Sequence, residues 1–216
     1  MKKKIVSFLL IIFICLCPFY VSAEDGVQTD LTPGAKSAIL IEASTGKIIY
    51  EKNSHEKLAP ASMTKMMSML LVVESIENGI IGWDDIITVS ANASGMGGSQ
   101  ILLETGEQMS VKDLFKGVAV MSGNDAVVAL AEAVAGSQDE FVAMMNKRAK
   151  ELGLTDTNFK NPHGLDDTNH YSSAYDMSLI AKELVKHSQV LEYTKIYEDY
   201  LRKGTDKEIW LVNTNK

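Results

Sequence analysis

The stretch 60-PASMTKMMSMLLVVE-74 changes the hydrophobic period of the chain and predicts its central helix. Apolar side chains recur there at spacings of three and four residues, the period of an α-helix; they are Met63, Met66, Met67, Leu70 and Val73. Pro60 suits the first turn of a helix, and Asn78-Gly79 supplies a stop signal. The sequence therefore predicts a helix that begins near Pro60 and ends before Gly79.

Ser62 and Lys65 lie three positions apart at the start of this helix, so their side chains project from one face. A serine hydroxyl is a weak nucleophile, and a lysine activates it when burial lowers the lysine pKa. Lys65 is the only basic residue between Met63 and Val73, as expected for a lysine in a partly buried cleft. The alternative is an ordinary helix-start serine beside a solvated lysine, because this spacing is common by chance.

Ser122-Gly123-Asn124 forms a polar turn between two predicted apolar helices, one ending at Met121 and one covering residues 126–134. Such a turn can direct a hydroxyl and a carboxamide into a cleft. The alternative is a plain turn in which Asn124 caps the second helix.

The rest of the sequence predicts a hairpin, more helices and a final strand. Residues 38–41 and 48–50 flank Gly46, a hairpin signature. Further expected elements are a strand within 83-WDDIITVS-90, a glycine-rich loop at 91-ANASGMGGSQ-100, helices at 138–152 and 174–186, and the start of a strand at 209–212. A two-stranded ribbon is marginal alone, so we expect the hairpin to need more strands than the sequence supplies.

Residues 1–23 have the composition of a secretory signal peptide, with three lysines, an apolar run and a small-residue cleavage site at Ala23. A retained membrane helix is the alternative. Both cysteines, Cys15 and Cys17, lie in this leader, so the mature chain would have no disulfide and no thiolate nucleophile. The formal net charge of -7 argues against a nucleic-acid partner.

The combination of Ser62-x-x-Lys65 with Ser122-Gly123-Asn124 resembles the motifs of the penicillin-recognising serine acyl-transferases. Longer segments resemble the low-molecular-mass D-alanyl-D-alanine carboxypeptidases, peptidase family S11, especially the sporulation type of Gram-positive bacteria. They are LAPASMTKMMSMLLVVE, MGGSQILLETGE, VKDLFKGVAVMSGNDAVVALAE, FVAMMNKRAKELGLTDTNFKNPHGL and HYSSAYDMSLIAKEL. The resemblance implies an α/β (α+β) fold of the β-lactamase/transpeptidase type, with a helical subdomain and an antiparallel sheet that is incomplete in this chain.

The resemblance also implies roles for individual residues. Ser62 would be the acylated nucleophile, with its N–H as half of the oxyanion hole, and Lys65 would accept its proton. Ser122 would relay a proton toward the leaving D-alanine, and Asn124 would hold the substrate amide. The implied substrate is a peptidoglycan pentapeptide, with β-lactams as covalent inhibitors and no cofactor or metal.

The family's third motif, Lys-Thr-Gly, is not found in the 216 residues. Lys203-Gly204-Thr205 has the composition in another order, and 210-WLVNTNK-216 resembles the segment that precedes the motif. We therefore expect residues 24–216 to be the N-terminal part of the peptidase domain. The missing C-terminal strands, β domain and membrane anchor of the family would then follow.

Three other functions were weighed against this interpretation. A metallohydrolase is disfavoured because no H-E-x-x-H zinc-binding pattern includes any of the four histidines, which are His55, His163, His170 and His187. We expect His163 in a polar loop and His170 in the loop leading to the helix start at Ser172-Ser173. A β-lactamase would need a glutamate that activates a deacylating water, and no motif identifies one. A non-catalytic penicillin-binding envelope protein is the third alternative.

We expect the purified 216-residue polypeptide alone to release D-alanine from a D-Ala-D-Ala peptide at a negligible rate. The resemblance implies that the Lys-Thr-Gly strand supplies the second N–H of the oxyanion hole, and loss of one oxyanion donor costs roughly 100-fold to 1000-fold in turnover. A coupled assay for free D-alanine measures this, and measurable release would contradict the expectation.

Overall fold

The computed structural model of the protein describes residues 30–213, so the predicted leader lies outside the described residues. The chain divides into two units, Met1–Pro33 and Gly34–Lys216, and every element below belongs to the second. No helix within residues 30–213 combines the length and apolar character needed to cross a bilayer. The elements, in chain order, are β1 (Ala38–Ile41), β2 (Ile48–Lys52), a 3-10 helix (Ala61–Thr64), α1 (Lys65–Glu77), β3 (Ile86–Thr88), α2 (Ala91–Ser94), β4 (Gln108–Ser110), α3 (Val111–Met121), α4 (Asn124–Ala135), α5 (Gln138–Glu151), α6 (Ala174–Leu184), α7 (Ser188–Thr194), β5 (Glu198–Leu201) and β6 (Ile209–Val212).

The predicted central helix is confirmed, with a 3-10 first turn that the period alone did not distinguish. The 3-10 turn passes directly into α1, which ends at Glu77 and is followed by its C-cap Asn78 and by Gly79 at φ +71°. Helix α1 contacts α4, α5 and α6, and Met67 and Leu70 on it are completely buried. The helix is therefore the axis of the core rather than an amphipathic surface helix.

The helix caps follow the sequence signals. The side-chain oxygens of Ser110, Ser137 and Ser173 accept hydrogen bonds from backbone N–H groups three residues later, and so begin α3, α5 and α6. Helix α5 stops before Gly153, as predicted, whereas α6 ends at Leu184, two residues earlier than expected.

The strands form three separate two-stranded antiparallel sheets, β1-β2, β3-β4 and β5-β6. The predicted hairpin is confirmed, with Gly46 at φ +79° in its turn, and within residues 30–213 it gains no third strand. The strand expected at residues 209–212 is present and pairs with β5, which the sequence analysis missed along with α2, β4 and α7. In β5 only Leu201 is buried, so its pattern carries a weak strand signal.

A segment that we call the strap, residues 97–103, is fixed by a buried carboxylate at the start of α4. Asp125 is 1% exposed, and its oxygens accept hydrogen bonds from the backbone N–H groups of Ile101 at 3.0 and 3.1 Å and of Leu103 at 3.0 Å. From the other side, Arg202 donates to the Ile101 carbonyl at 3.0 Å and to the Glu107 carboxylate. The strap is therefore held between α4 and the β5-β6 hairpin.

We expect Asp125→Ala to lower the free energy of unfolding by about 2–4 kcal/mol, because two buried N–H groups lose their acceptor. Asp139→Ala is the matched control, since Asp139 also lies in the first turn of a helix but is exposed, and it should cost less than about 1 kcal/mol. Urea denaturation followed by circular dichroism measures both changes, and equal losses in the two variants would contradict the assignment.

Candidate active site

Ser62 lies on a strained turn whose shape depends on a glycine about one hundred residues away. The residue before it, Ala61, has φ +47°, which is uncommon for a residue other than glycine. A Cβ on Gly164 would lie 1.9 Å from the Ala61 carbonyl oxygen and 2.9 Å from Thr64 Oγ1, and Gly164 itself has φ +88°. Only glycine fits there, so the backbone at residue 164 presses directly on the turn that presents Ser62.

Lys65 is buried and hydrogen-bonded to Ser62. Lys65 is 3% exposed. Its Nζ lies 3.3 Å from Ser62 Oγ and donates to the His163 carbonyl oxygen at 2.7 Å. Burial lowers the pKa of Lys65 to about 8. In the neutral amine, one N–H can still donate to the His163 carbonyl while the lone pair faces the Ser62 hydroxyl. The pair thus has the geometry of a nucleophile and its base.

Residues 158–170, which we call the clamp loop, anchor this turn to the helices behind it. Ser68 Oγ on α1 donates to the Pro162 carbonyl at 2.6 Å. Asn146 on α5 donates to the Phe159 carbonyl at 2.8 Å and accepts from the Phe159 N–H at 2.9 Å. The acceptor for the Lys65 amine is therefore fixed from two helices.

The two histidines of the clamp loop are buried at 6% exposure each, which their position in a polar segment did not indicate. His170 Nε2 lies 2.8 Å from Thr64 Oγ1, and its Nδ1 accepts from the Lys160 N–H at 3.0 Å. His163 Nδ1 accepts from the Leu165 N–H at 3.1 Å. Burial, and then the charge of Lys65, lower the pKa of His163 to about 4, so this ring is neutral at neutral pH.

Ser122 and Asn124 lie at the junction of α3 and α4. Ser122 has left-handed backbone angles, φ 57° and ψ 34°, and its buried Oγ has no hydrogen-bond partner within residues 30–213. Asn124 is the first residue of α4, and its Nδ2 donates to the Gly97 carbonyl at 2.8 Å while its N–H donates to the Ser99 carbonyl at 2.7 Å. The carboxamide therefore binds the strap, and the alternative in which it caps the helix is not observed.

The structure joins Ser62 to Lys65 directly and connects Asn124 to them through the clamp loop. A Cβ on Gly98 would lie 2.7 Å from Asn124 Nδ2 and 3.5 Å from the Leu165 side chain. Leu165 follows Gly164, which contacts the Ser62 turn. In the described part of the chain, no hydrogen bond joins Ser122 or Asn124 to Ser62 or Lys65.

An open cleft of about 670 Å³ lies along the clamp loop, and neither Ser62 nor Lys65 is among the residues that line it. The residues that line it are Ala59, Gly164, residues 165–168 and His170. This volume lies in the range of small-ligand sites, roughly 300–1,000 Å³. A search of residues 30–213 finds no group of three His, Cys, Asp or Glu side chains placed to bind a metal ion.

Comparison with known proteins places these features in one family. Residues 24–216 match the family model Peptidase S11, described as D-alanyl-D-alanine carboxypeptidase. The D-alanyl-D-alanine carboxypeptidase DacF of Bacillus subtilis (strain 168) is 54% identical over 217 aligned residues, which cover 99% of this chain and 56% of DacF.

Solved structures give the same result for the fold. Penicillin binding protein 5 from Haemophilus influenzae superposes with a TM-score of 0.78 at 37% identity, over 83% of this chain and 52% of that one. The ampicillin-bound form of penicillin-binding protein D2 from Listeria monocytogenes gives a TM-score of 0.72 at 29% identity, over 84% of this chain and 72% of that one. The expected α/β fold of the transpeptidase type is therefore confirmed.

The chain spans about half the length of the curated relatives it matches. The matched range, residues 24–216, covers every helix and strand described above. The chain belongs to the D-alanyl-D-alanine carboxypeptidase family, peptidase family S11.

Proposed function

We propose that the protein is a serine-type D-Ala-D-Ala carboxypeptidase, which removes the terminal D-alanine from peptidoglycan stem peptides. The observation that carries this proposal is the buried amine of Lys65 beside Ser62 Oγ, in a chain of the S11 family. The relatives' names supply the substrate class.

In the proposed acylation, Lys65 Nζ accepts the hydroxyl proton of Ser62 while Oγ attacks the carbonyl carbon of the penultimate D-alanine. The C–N bond of the terminal D-alanine then breaks, and the leaving amine takes up a proton. Ser122, whose Oγ has no other partner in the described structure, is suited to pass that proton from Lys65 to the amine. Water then hydrolyses the Ser62 ester and releases the shortened peptide.

One structural feature supports stabilisation of the oxyanion in this reaction, and a second supports binding of the substrate amide. Ser62 lies in the first turn of a helix, where backbone N–H groups have no intrahelical acceptor, so its N–H is available to the developing oxyanion. Asn124 is buried beside the strap and is assigned to the substrate amide. Reaching the substrate would require its carboxamide to share or exchange the hydrogen bond to Gly97.

We further propose that β-lactams acylate Ser62 and that the protein acts in the bacterial cell envelope. The related penicillin-binding protein D2 from Listeria monocytogenes was solved in an ampicillin-bound form and in a cefotaxime-bound form. The composition of residues 1–23 supports export by a signal peptide.

We expect fluorescent penicillin to label Ser62 in the protein expressed from its complete reading frame, and Ser62→Ala to abolish the label. Ser75→Ala is the matched control, because Ser75 is also a serine of the central helix but donates only to the Leu71 carbonyl. Gel fluorescence and mass spectrometry of the labelled peptide measure the result.

Three outcomes of this experiment would contradict the proposal. Label retained in Ser62→Ala would refute the nucleophile. Rapid loss of the adduct would favour a β-lactamase, and an unlabelled parent protein would favour a non-catalytic envelope protein.

We expect the second-order rate of penicillin acylation to rise about tenfold per pH unit up to about pH 8 and then level off. The base must be the neutral amine, and its fraction falls tenfold per unit below the Lys65 pKa of about 8. Stopped-flow labelling between pH 6 and 10 measures this profile.

The matched control for the pH profile is Lys112→Ala, because Lys112 is an exposed lysine paired with Asp84. This control should keep the profile, whereas Lys65→Ala should slow acylation by about 10²–10⁴-fold. A flat profile in the parent protein would contradict the role of Lys65.

A further inference from the structure

The turn that carries Ser62 is held by contacts outside itself as well as by α1, into which it continues. It is a 3-10 helix of four residues, a form with poorer hydrogen-bond geometry than an α-helix, and it begins at the strained Ala61. Ser62 and Met63 are exposed, whereas Thr64 is completely buried. Thr64 is therefore the side chain through which the turn is attached to the interior.

The Thr64 hydroxyl faces one buried side chain, His170, at 2.8 Å. The tautomer of this histidine follows from its other nitrogen. Because the Lys160 N–H donates to Nδ1 at 3.0 Å, the neutral ring carries its proton on Nε2. The bond therefore runs from His170 Nε2–H to Thr64 Oγ1, and its direction is defined. Burial lowers the pKa of His170, which keeps the ring neutral at neutral pH.

His170 is itself held rigidly. The rings of His170 and Phe159 pack edge to face with centroids 5.9 Å apart, and the backbone N–H of His170 donates to the Asp167 carbonyl at 3.1 Å. Two residues later, Ser172 exchanges backbone hydrogen bonds of 2.8 and 2.9 Å with Leu58, which precedes the Ser62 turn. The segment around His170 is thus joined to the chain before the turn by the backbone hydrogen bonds with Leu58, and to the last residue of the turn by the side-chain bond with Thr64.

We propose that His170 is a positioning residue for acylation, acting through Thr64 to set the distance between Ser62 and Lys65. The hydrogen bond between Lys65 and Ser62 tolerates little further lengthening, because the distance of 3.3 Å between Lys65 Nζ and Ser62 Oγ is already beyond the usual range of such bonds. A shift of a few tenths of an ångström in the turn separates the nucleophile from its base. This inference rests on the proposed function of the Ser62–Lys65 pair.

The test is a double-mutant cycle with Thr64→Val and His170→Phe, read by the second-order rate of labelling with fluorescent penicillin. Thr64→Val removes the hydroxyl, and His170→Phe removes both ring nitrogens while keeping the ring beside Phe159. Each single variant should acylate about tenfold to a hundredfold more slowly. The double variant should be no slower than the slower single variant, because both changes remove the same bond.

Conservative variants separate positioning from general stability. Thr64→Ser keeps the acceptor, and His170→Gln keeps an N–H donor and an acceptor for Lys160, so both should acylate within about threefold of the parent rate. His187→Phe is the matched control, since the His187 side chain, 13% exposed, pairs with Glu77 at the opposite end of α1, and the change should leave the rate unchanged. Thermal melting of every variant identifies those that fail to fold, and the Thr64→Val and Thr64→Ser pair tests the bond even if His170→Phe is among them.

Outcomes that defeat this inference differ from those that defeat the proposed function. If the parent protein is labelled at Ser62 while Thr64→Val and His170→Phe react at its rate, the positioning role is refuted and the nucleophile stands. Slowing that multiplies in the double variant, or slowing without rescue in Thr64→Ser and His170→Gln, also refutes it. An unlabelled parent protein refutes the proposed function itself.

Discussion

The burial of one amine, that of Lys65, is the constraint on which the rest of the site depends. An amine removed from water must keep a hydrogen-bond partner or lose several kcal/mol, and the protein supplies the His163 carbonyl at 2.7 Å. Supplying that carbonyl requires a backbone segment to pass directly behind the helix start. The same burial lowers the pKa of Lys65 to about 8, so the packing requirement and the chemical requirement have one cause.

The consequences of this constraint extend through the clamp loop. Close passage of the loop leaves no space for a Cβ at residue 164 and is matched by a left-handed conformation at Ala61. A second support, the strap, is independent of the first: Asp125 binds its N–H groups, and Asn124 binds its carbonyls. Ser62 and the Asn124 carboxamide are thus positioned by two separate segments, which meet where Gly98 approaches Leu165.

Local signals in the sequence were sufficient for most of the helices and for the proximity of Ser62 to Lys65. The period from Met63 to Val73, the helix start at Ser172-Ser173 and the Gly46 turn are all decided within a few residues, and each was predicted. The Ser62–Lys65 pair was found because its members share one helical turn. The contacts of His170 and Asp125 were missed because they join residues 22 to 106 positions apart and have no local signature. Helix α7 and strand β5 were missed because their hydrophobic patterns are weak and because contacts with residues distant in the sequence hold them in place.

The Lys65 amine and the Thr64 hydroxyl bind groups 98 and 106 positions further along the chain. A ribosome adds about 5–20 residues per second, so the segment that carries Ser62 is synthesised roughly 5–20 s before its supporting loop. During that interval nothing in the clamp loop can bury the Lys65 amine or fix Ala61 in its left-handed conformation. The Ser62 turn is therefore among the earlier parts of this domain to be synthesised and among the later parts to acquire its final shape.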